Sequence, residues 1–69
     1  MEVIKLKEDF IKLGQALKAA GLVGSGVESK IAVQDGLVKV NGNTEIQRGK
    51  KLYGGDSVEY NNQTIKIEK

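Results

Sequence analysis

SGVESKIAVQDGLVKVNG, residues 25–42, is the stretch that decides the fold. Ser25 is a good helix N-cap, and Glu28 stands three residues on, where a capping box needs it. The helix that follows runs to about Asp35 and stops at Gly36. Ser29, Ala32 and Val33 form its core-facing side, while Lys30 and Gln34 look outward. Its helix propensity is modest, so it depends on tertiary packing. The period then changes from helical to alternating: Val38 and Val40 point one way and Lys39 the other. Asn41-Gly42 closes the strand with a hairpin signal, because both residues tolerate positive φ.

Toward the N-terminus, Val3-Ile4-Lys5-Leu6 reads as a short first strand. From Glu8 the spacing predicts a helix with Phe10, Leu13, Leu17 and Ala20 on one buried stripe. Glu8 and Asp9 favour the positive end of its dipole, Lys18 suits the other end, and Gly21 stops it. Ile11 falls outside the stripe and is expected against the first strand. Leu22-Val23-Gly24 is too short a connector for anything but two helices packed side by side at a steep angle.

Toward the C-terminus, Thr44-Glu45-Ile46 reads as the return strand of the hairpin. Arg48 to Tyr53 reads as a basic loop or irregular strand. Gly54-Gly55-Asp56 turns the chain into Ser57-Val58-Glu59-Tyr60, Asn61-Asn62 makes a second tight turn, and Thr64-Ile65-Lys66-Ile67 closes the sheet. The predicted fold is a single domain over residues 1–69, of α+β class. Two packed helices lie against a small, mostly antiparallel sheet that starts at the N-terminus.

Composition narrows the function. The chain has no cysteine and no histidine, which removes thiolate metal sites, disulfides and the commonest general base. No cluster combines a nucleophile, a base and an electrophile stabiliser, so neither catalysis, a metal nor a cofactor is expected. Gly24-Ser25-Gly26 is not a nucleotide-binding phosphate loop, because the Gly-Lys-Ser/Thr ending is missing. The N-terminus lacks the apolar core of a signal peptide, and no run is long enough to span a membrane. A cytoplasmic protein with neither membrane nor small-molecule partners is the expectation.

The net charge of +2 says little, but its distribution says more. Residues 1–35 balance to zero. Residues 36–55 carry Lys39, Arg48, Lys50 and Lys51 against Glu45 alone, and residues 56–69 are slightly acidic. Local concentration of positive charge is what raises phosphate affinity.

Taken together, these residues resemble the RNA-binding domain first described in ribosomal small-subunit protein S-four, whose core is known as the alpha-L motif. The resemblance rests on the helix Ser25 to Gly36, the run Gly36-Leu37-Val38-Lys39-Val40-Asn41-Gly42, and the later Gly55-Asp56 before a strand. It spans roughly Ile4 to Tyr60. The small stand-alone bacterial subgroup is the most similar, through Ala20-Gly21-Leu22-Val23, Ser25-Gly26, Glu28, Lys30 and the basic loop Arg48-Gly49-Lys50-Lys51-Leu52-Tyr53. The chain departs from many family members in having Gly26 where they carry Arg, although the stand-alone subgroup often has Gly there.

The resemblance implies a non-catalytic protein that grips structured RNA, ribosomal or transfer RNA, with possible association with the ribosome. The implied RNA-binding residues are Ser25 and Gly26 at the helix start, Lys30, Arg48, Lys50 and Lys51. Arg48 is the best placed chemically, since a guanidinium grips phosphate bidentately or stacks on a base. Lys18, Lys39 and Tyr53 are weaker candidates. A dipole interaction accounts for Lys18, strand alternation for Lys39, and a sheet-edge position for Tyr53, which could otherwise stack on a base. Ser25 and Glu28 are also accounted for by capping, and Asp56 by its turn.

Two other functions fit parts of the sequence. A protein-interaction module could dock on a ribosomal or replication partner through Leu22, Val23 and Leu52. A β-grasp-like sulfur carrier shares the Gly55-Asp56 run before a strand, but Ile67-Glu68-Lys69 lacks the Gly-Gly end that such carriers need.

Overall fold

The computed structural model describes residues 2–69. In chain order the elements are β1 (Glu2–Lys5), β2 (Ile11–Lys12), α1 (Leu13–Ala19), α2 (Gly26–Gln34), β3 (Val38–Val40), β4 (Asn43–Thr44), β5 (Lys51–Leu52), β6 (Ser57–Tyr60) and β7 (Gln63–Glu68). Five strands form one sheet in the order β1-β7-β6-β3-β4. Only the β1–β7 pair is parallel; the other three pairs are antiparallel. The sheet is therefore mostly antiparallel and begins near the N-terminus, and the class is α+β.

Alternation along the strands builds the core. Val38, Val40, Val58, Ile65 and Ile67 turn their side chains inward, where Leu13, Ala16, Leu17, Ala32 and Val33 of the two helices cover them. The outer face carries Lys39 opposite Glu59. Both tight turns use left-handed residues: Asn41 and Gly42 at φ of 52° and 85°, and Asn61 and Asn62 at 52° and 63°. Two left-handed central residues match the twist of a two-residue hairpin.

Each helix ends the same way. Gly21 follows α1 at φ 73° and Gly36 follows α2 at φ 74°. The Gly21 and Leu22 amides donate to Lys18 and Leu17, and the Gly36 and Leu37 amides donate to Val33 and Ala32. This paired closure satisfies the last carbonyls and needs a residue that adopts positive φ without strain.

The α2 start is as read from sequence, with one change of partner. The Glu28 amide donates to Ser25 Oγ at 3.2 Å, but the Glu28 carboxylate accepts from Gly24 and not from the cap residue itself.

Several expectations are corrected. The first helix begins at Leu13, not Glu8, so Glu8 and Asp9 lie outside it. Ile11-Lys12 is instead a strand that pairs antiparallel with Lys51-Leu52, forming a second, two-stranded sheet. Phe10 precedes this ribbon and is only partly buried, so it is not a core residue. Helical spacing over residues 8–12 was overridden by pairing with a segment forty residues away, which no local period reveals. The hairpin's return strand is Asn43–Thr44, shorter than the expected 44–46. Glu45 still donates to Val38, but the chain then leaves the sheet.

Candidate nucleic-acid interface

The basic loop is fixed to α1 by its main chain. The Leu13 amide donates to the Lys50 carbonyl at 2.8 Å, and the Gly14 amide donates to the Arg48 carbonyl at 3.0 Å. These are among the first amides of a helix, which have no partner within it. The loop therefore acts as a tertiary cap and sets where its side chains emerge. The Lys12 amide, at the cap position, donates to Gln15 Oε1 at 3.2 Å.

Arg48 then crosses from α1 to α2. Its stem lies over Gly14, and its guanidinium Nη1 reaches the Gly26 carbonyl at 3.4 Å. The crossing is close because Ser29, buried in α2, donates from Oγ to the Gly14 carbonyl at 3.1 Å. Lys12, Gly14, Gln15, Lys18, Gly26, Ser29, Arg48 and Gly49 line a shallow depression of about 290 Å³ at this junction. Three cations, Lys12, Lys18 and Arg48, thus share one concavity with the start of α2.

Charge in the depression is not neutralised internally. Among the described residues the ion pairs are Lys5–Glu68 and Lys69–Asp9, both exposed. None of Lys12, Lys18, Lys30, Arg48, Lys50 or Lys51 takes part in one. The acid in the first turn of α2, Glu28, is committed to Gly24. The Gly26 and Val27 amides are donors that no helical carbonyl uses, and they sit at the positive end of the helix dipole. An anionic ligand here would meet guanidinium, ammonium and main-chain donors together.

The residues picked from sequence are distributed as follows. Gly26, Arg48 and Lys18 line the depression, and Ser25 caps the same helix end. Lys30 is exposed one turn along α2 from Gly26, outside the depression's lining. Lys50 and Lys51 lead from the loop into β5, where Lys51 stands opposite Lys12 and its ammonium lies 4.8 Å from the centre of the Phe10 ring. Tyr53 follows β5, about half exposed. Lys39 is not part of this surface, because strand alternation puts it on the sheet face away from the helices. The protein-docking face expected at Leu22, Val23 and Leu52 is corrected: Val23 and Leu52 are in the core and Leu22 is partly buried against it.

Lys12, Gly14 and Gln15 were missed. In the sequence Lys12 and Gln15 look like ordinary polar positions of a helix, and Gly14 like a weak point in it. The one available signal was the glycine itself, since a glycine inside a helical pattern often marks a close approach.

Among the described residues no group of three or more Asp and Glu side chains could hold a metal ion. No helix among them is long and apolar enough to cross a membrane. Asp56 is occupied structurally: its carboxylate accepts from the Tyr53 amide at 2.8 Å and from Asn41 Nδ2 at 3.0 Å.

Comparison with known proteins adds three findings. Residues 4–68 match the family described as "S4 domain". The chain is 41% identical over 56 residues to "Probable ribosome maturation protein RlbA" of Bacillus subtilis (strain 168), an alignment covering 81% of this chain and 79% of that protein. It is 31% identical over 61 residues to "Putative RNA-binding protein YbcJ" of Escherichia coli (strain K12), covering 88% and 87%.

Proposed function

This chain belongs to the S4 domain family, and from that premise we propose that it is a non-catalytic RNA-binding protein. Its ligand is structured RNA, ribosomal or transfer RNA, in the cytoplasm. The grip is through phosphates and shape: Arg48, Lys12 and Lys18 around the start of α2, with Ser25 and Gly26 presenting main-chain donors and Lys30, Lys50 and Lys51 extending the positive rim. A-form RNA is read mainly through its phosphates and 2′-hydroxyls, which suits a surface with many cations and few aromatics.

The observation that carries this reading is the convergence of Arg48, Lys12 and Lys18 on one depression at the α1–α2 junction without an internal ion pair among the described residues. The names of the relatives point the same way, toward RNA binding and toward maturation of the ribosome. The test is titration of a folded RNA hairpin at several salt concentrations. Binding that weakens steeply with salt, and that Arg48→Ala lowers, supports the proposal. Salt-independent binding, or none, overturns it.

One observation favours a second reading. Val27 and Ile31, one turn apart on α2, are 69% and 53% exposed, and Leu37 and Ile46 are also exposed. Such apolar residues fit a protein partner on the ribosome. Co-purification of ribosomal proteins that survives nuclease treatment, and that Ile31→Glu abolishes, would favour it over RNA.

A further inference from the structure

The β2–β5 ribbon has two faces of opposite character. Its register pairs Ile11 with Leu52 and Lys12 with Lys51. Ile11 and Leu52 turn inward: Leu52 is fully buried and Ile11 packs against the core. Alternation turns Lys12 and Lys51 outward, and the rings of Phe10 and Tyr53, which flank the ribbon, meet beside them. Two of the chain's three aromatic residues are therefore adjacent on one exposed surface. Their ring centres are 6.1 Å apart and their planes tilt by 51°. The third aromatic, Tyr60, packs against the core.

Phe10 is partly buried, but burial does not account for Tyr53. Tyr53 is 49% exposed. Its main chain is nevertheless held firmly: the Tyr53 amide donates to the Asp56 carboxylate, and the Tyr53 carbonyl accepts from the Asp56 amide at 3.0 Å. Lys51 takes part in neither ion pair found among the described residues, and its ammonium lies 4.8 Å from the centre of the Phe10 ring. Lys12 belongs both to this face and to the lining of the Arg48 depression, which makes the two surfaces continuous.

We infer that the outward face of the β2–β5 ribbon is a stacking site for an unpaired nucleotide of the bound RNA. The base lies against Tyr53, backed by Phe10, while Lys51 and Lys12 take the phosphates that lead from it to the Arg48 depression. Exposed bases of single-stranded ends and loops are the RNA elements that stack on aromatic side chains. A fixed backbone and a ring with few torsions lower the entropic cost of that contact. This inference rests on the RNA-binding reading and adds to it a preference for duplex RNA that ends in a single strand.

The experiment compares a blunt RNA duplex with the same duplex carrying a single-stranded 3′ tail. The protein is expected to bind the tailed RNA roughly five- to 150-fold more tightly, the range that corresponds to ~1–3 kcal/mol of stacking per base. Tyr53→Leu and Phe10→Leu are expected to bring that ratio close to one. The chain has no tryptophan, so tyrosine is its fluorophore. In a Tyr60→Phe background, where Tyr53 is the remaining tyrosine, the tailed RNA should quench its emission and the blunt duplex should not. A wild-type ratio of one, or a ratio that Tyr53→Leu leaves unchanged, overturns the stacking site while salt-sensitive binding of the blunt duplex leaves the RNA-binding reading intact. Failure to bind either RNA overturns both.

Discussion

Arg48 and Gly14 are joined twice. The Gly14 amide donates to the Arg48 carbonyl at 3.0 Å, and the Arg48 stem occupies the space a side chain at Gly14 would need, so that a Cβ there would stand 2.5 Å from Arg48 Cγ. The glycine fixes the loop through its backbone and admits the arginine through its missing side chain. One residue thus sets both where the loop docks and where its guanidinium emerges.

Gly14→Ala tests the close approach of the loop to α1. The added methyl would stand 2.5 Å from Arg48 Cγ and 3.1 Å from the buried Ser29 Oγ, so both the loop and the helix junction have to shift to admit it. The variant should melt at a lower temperature and lose RNA affinity about ten- to a hundredfold, the scale of one hydrogen bond to a charged group (~1.5–3 kcal/mol). Calorimetry and an RNA titration on the same protein check it. Unchanged affinity would show that the position of Arg48 is immaterial.

Removing charge should change the salt dependence and not only the affinity. Each lost phosphate contact lowers the slope of log K against log salt by about 0.7–0.9. The variant Arg48→Ala/Lys50→Ala/Lys51→Ala should therefore bind markedly less well and show a slope shallower by up to about 2–3. A parallel line with lower affinity would mean that these side chains act through structure.

Lys12→Ala tests the residue that sequence reasoning passed over. It stands in no ion pair among the described residues, so its loss should leave stability within about 0.5 kcal/mol and reduce the salt slope by about one contact. Lys39→Ala, on the other side of the sheet, should leave RNA affinity unchanged. Equal effects from the two would argue for non-specific attraction by the whole domain.

Ser29→Ala examines the helix junction. Its Oγ–Gly14 bond is buried, and losing it should cost about 1 kcal/mol, or roughly 4–8 °C in melting temperature for a domain this small. Ser25→Ala should cost about as much by removing the α2 cap. Thermal unfolding followed by circular dichroism checks both, and stabilities indistinguishable from wild type would refute them.

The second helix was legible because its boundaries are local. Ser25, Glu28 and Gly36 act on neighbours three or four residues away, and Val38, Lys39, Val40 and Asn41-Gly42 announce a strand and hairpin by alternation and turn chemistry alone. The first helix was misread at its start for the opposite reason. Phe10 and Leu13 have helical spacing, yet Ile11 and Lys12 are held extended by Leu52 and Lys51.

Sequence alone determined the α+β class, both helix stops, the two asparagine turns and the cationic character of the segment around Arg48, since each depends on residue type and short-range geometry. Tertiary structure decided which cations share a surface. Lys12 joined Arg48 through pairing across the chain, Lys18 came in with α1, and Lys39 was sent to the far side of the sheet. Phosphate attraction depends on distances between charges, and those are set by long-range contacts that a linear pattern does not encode.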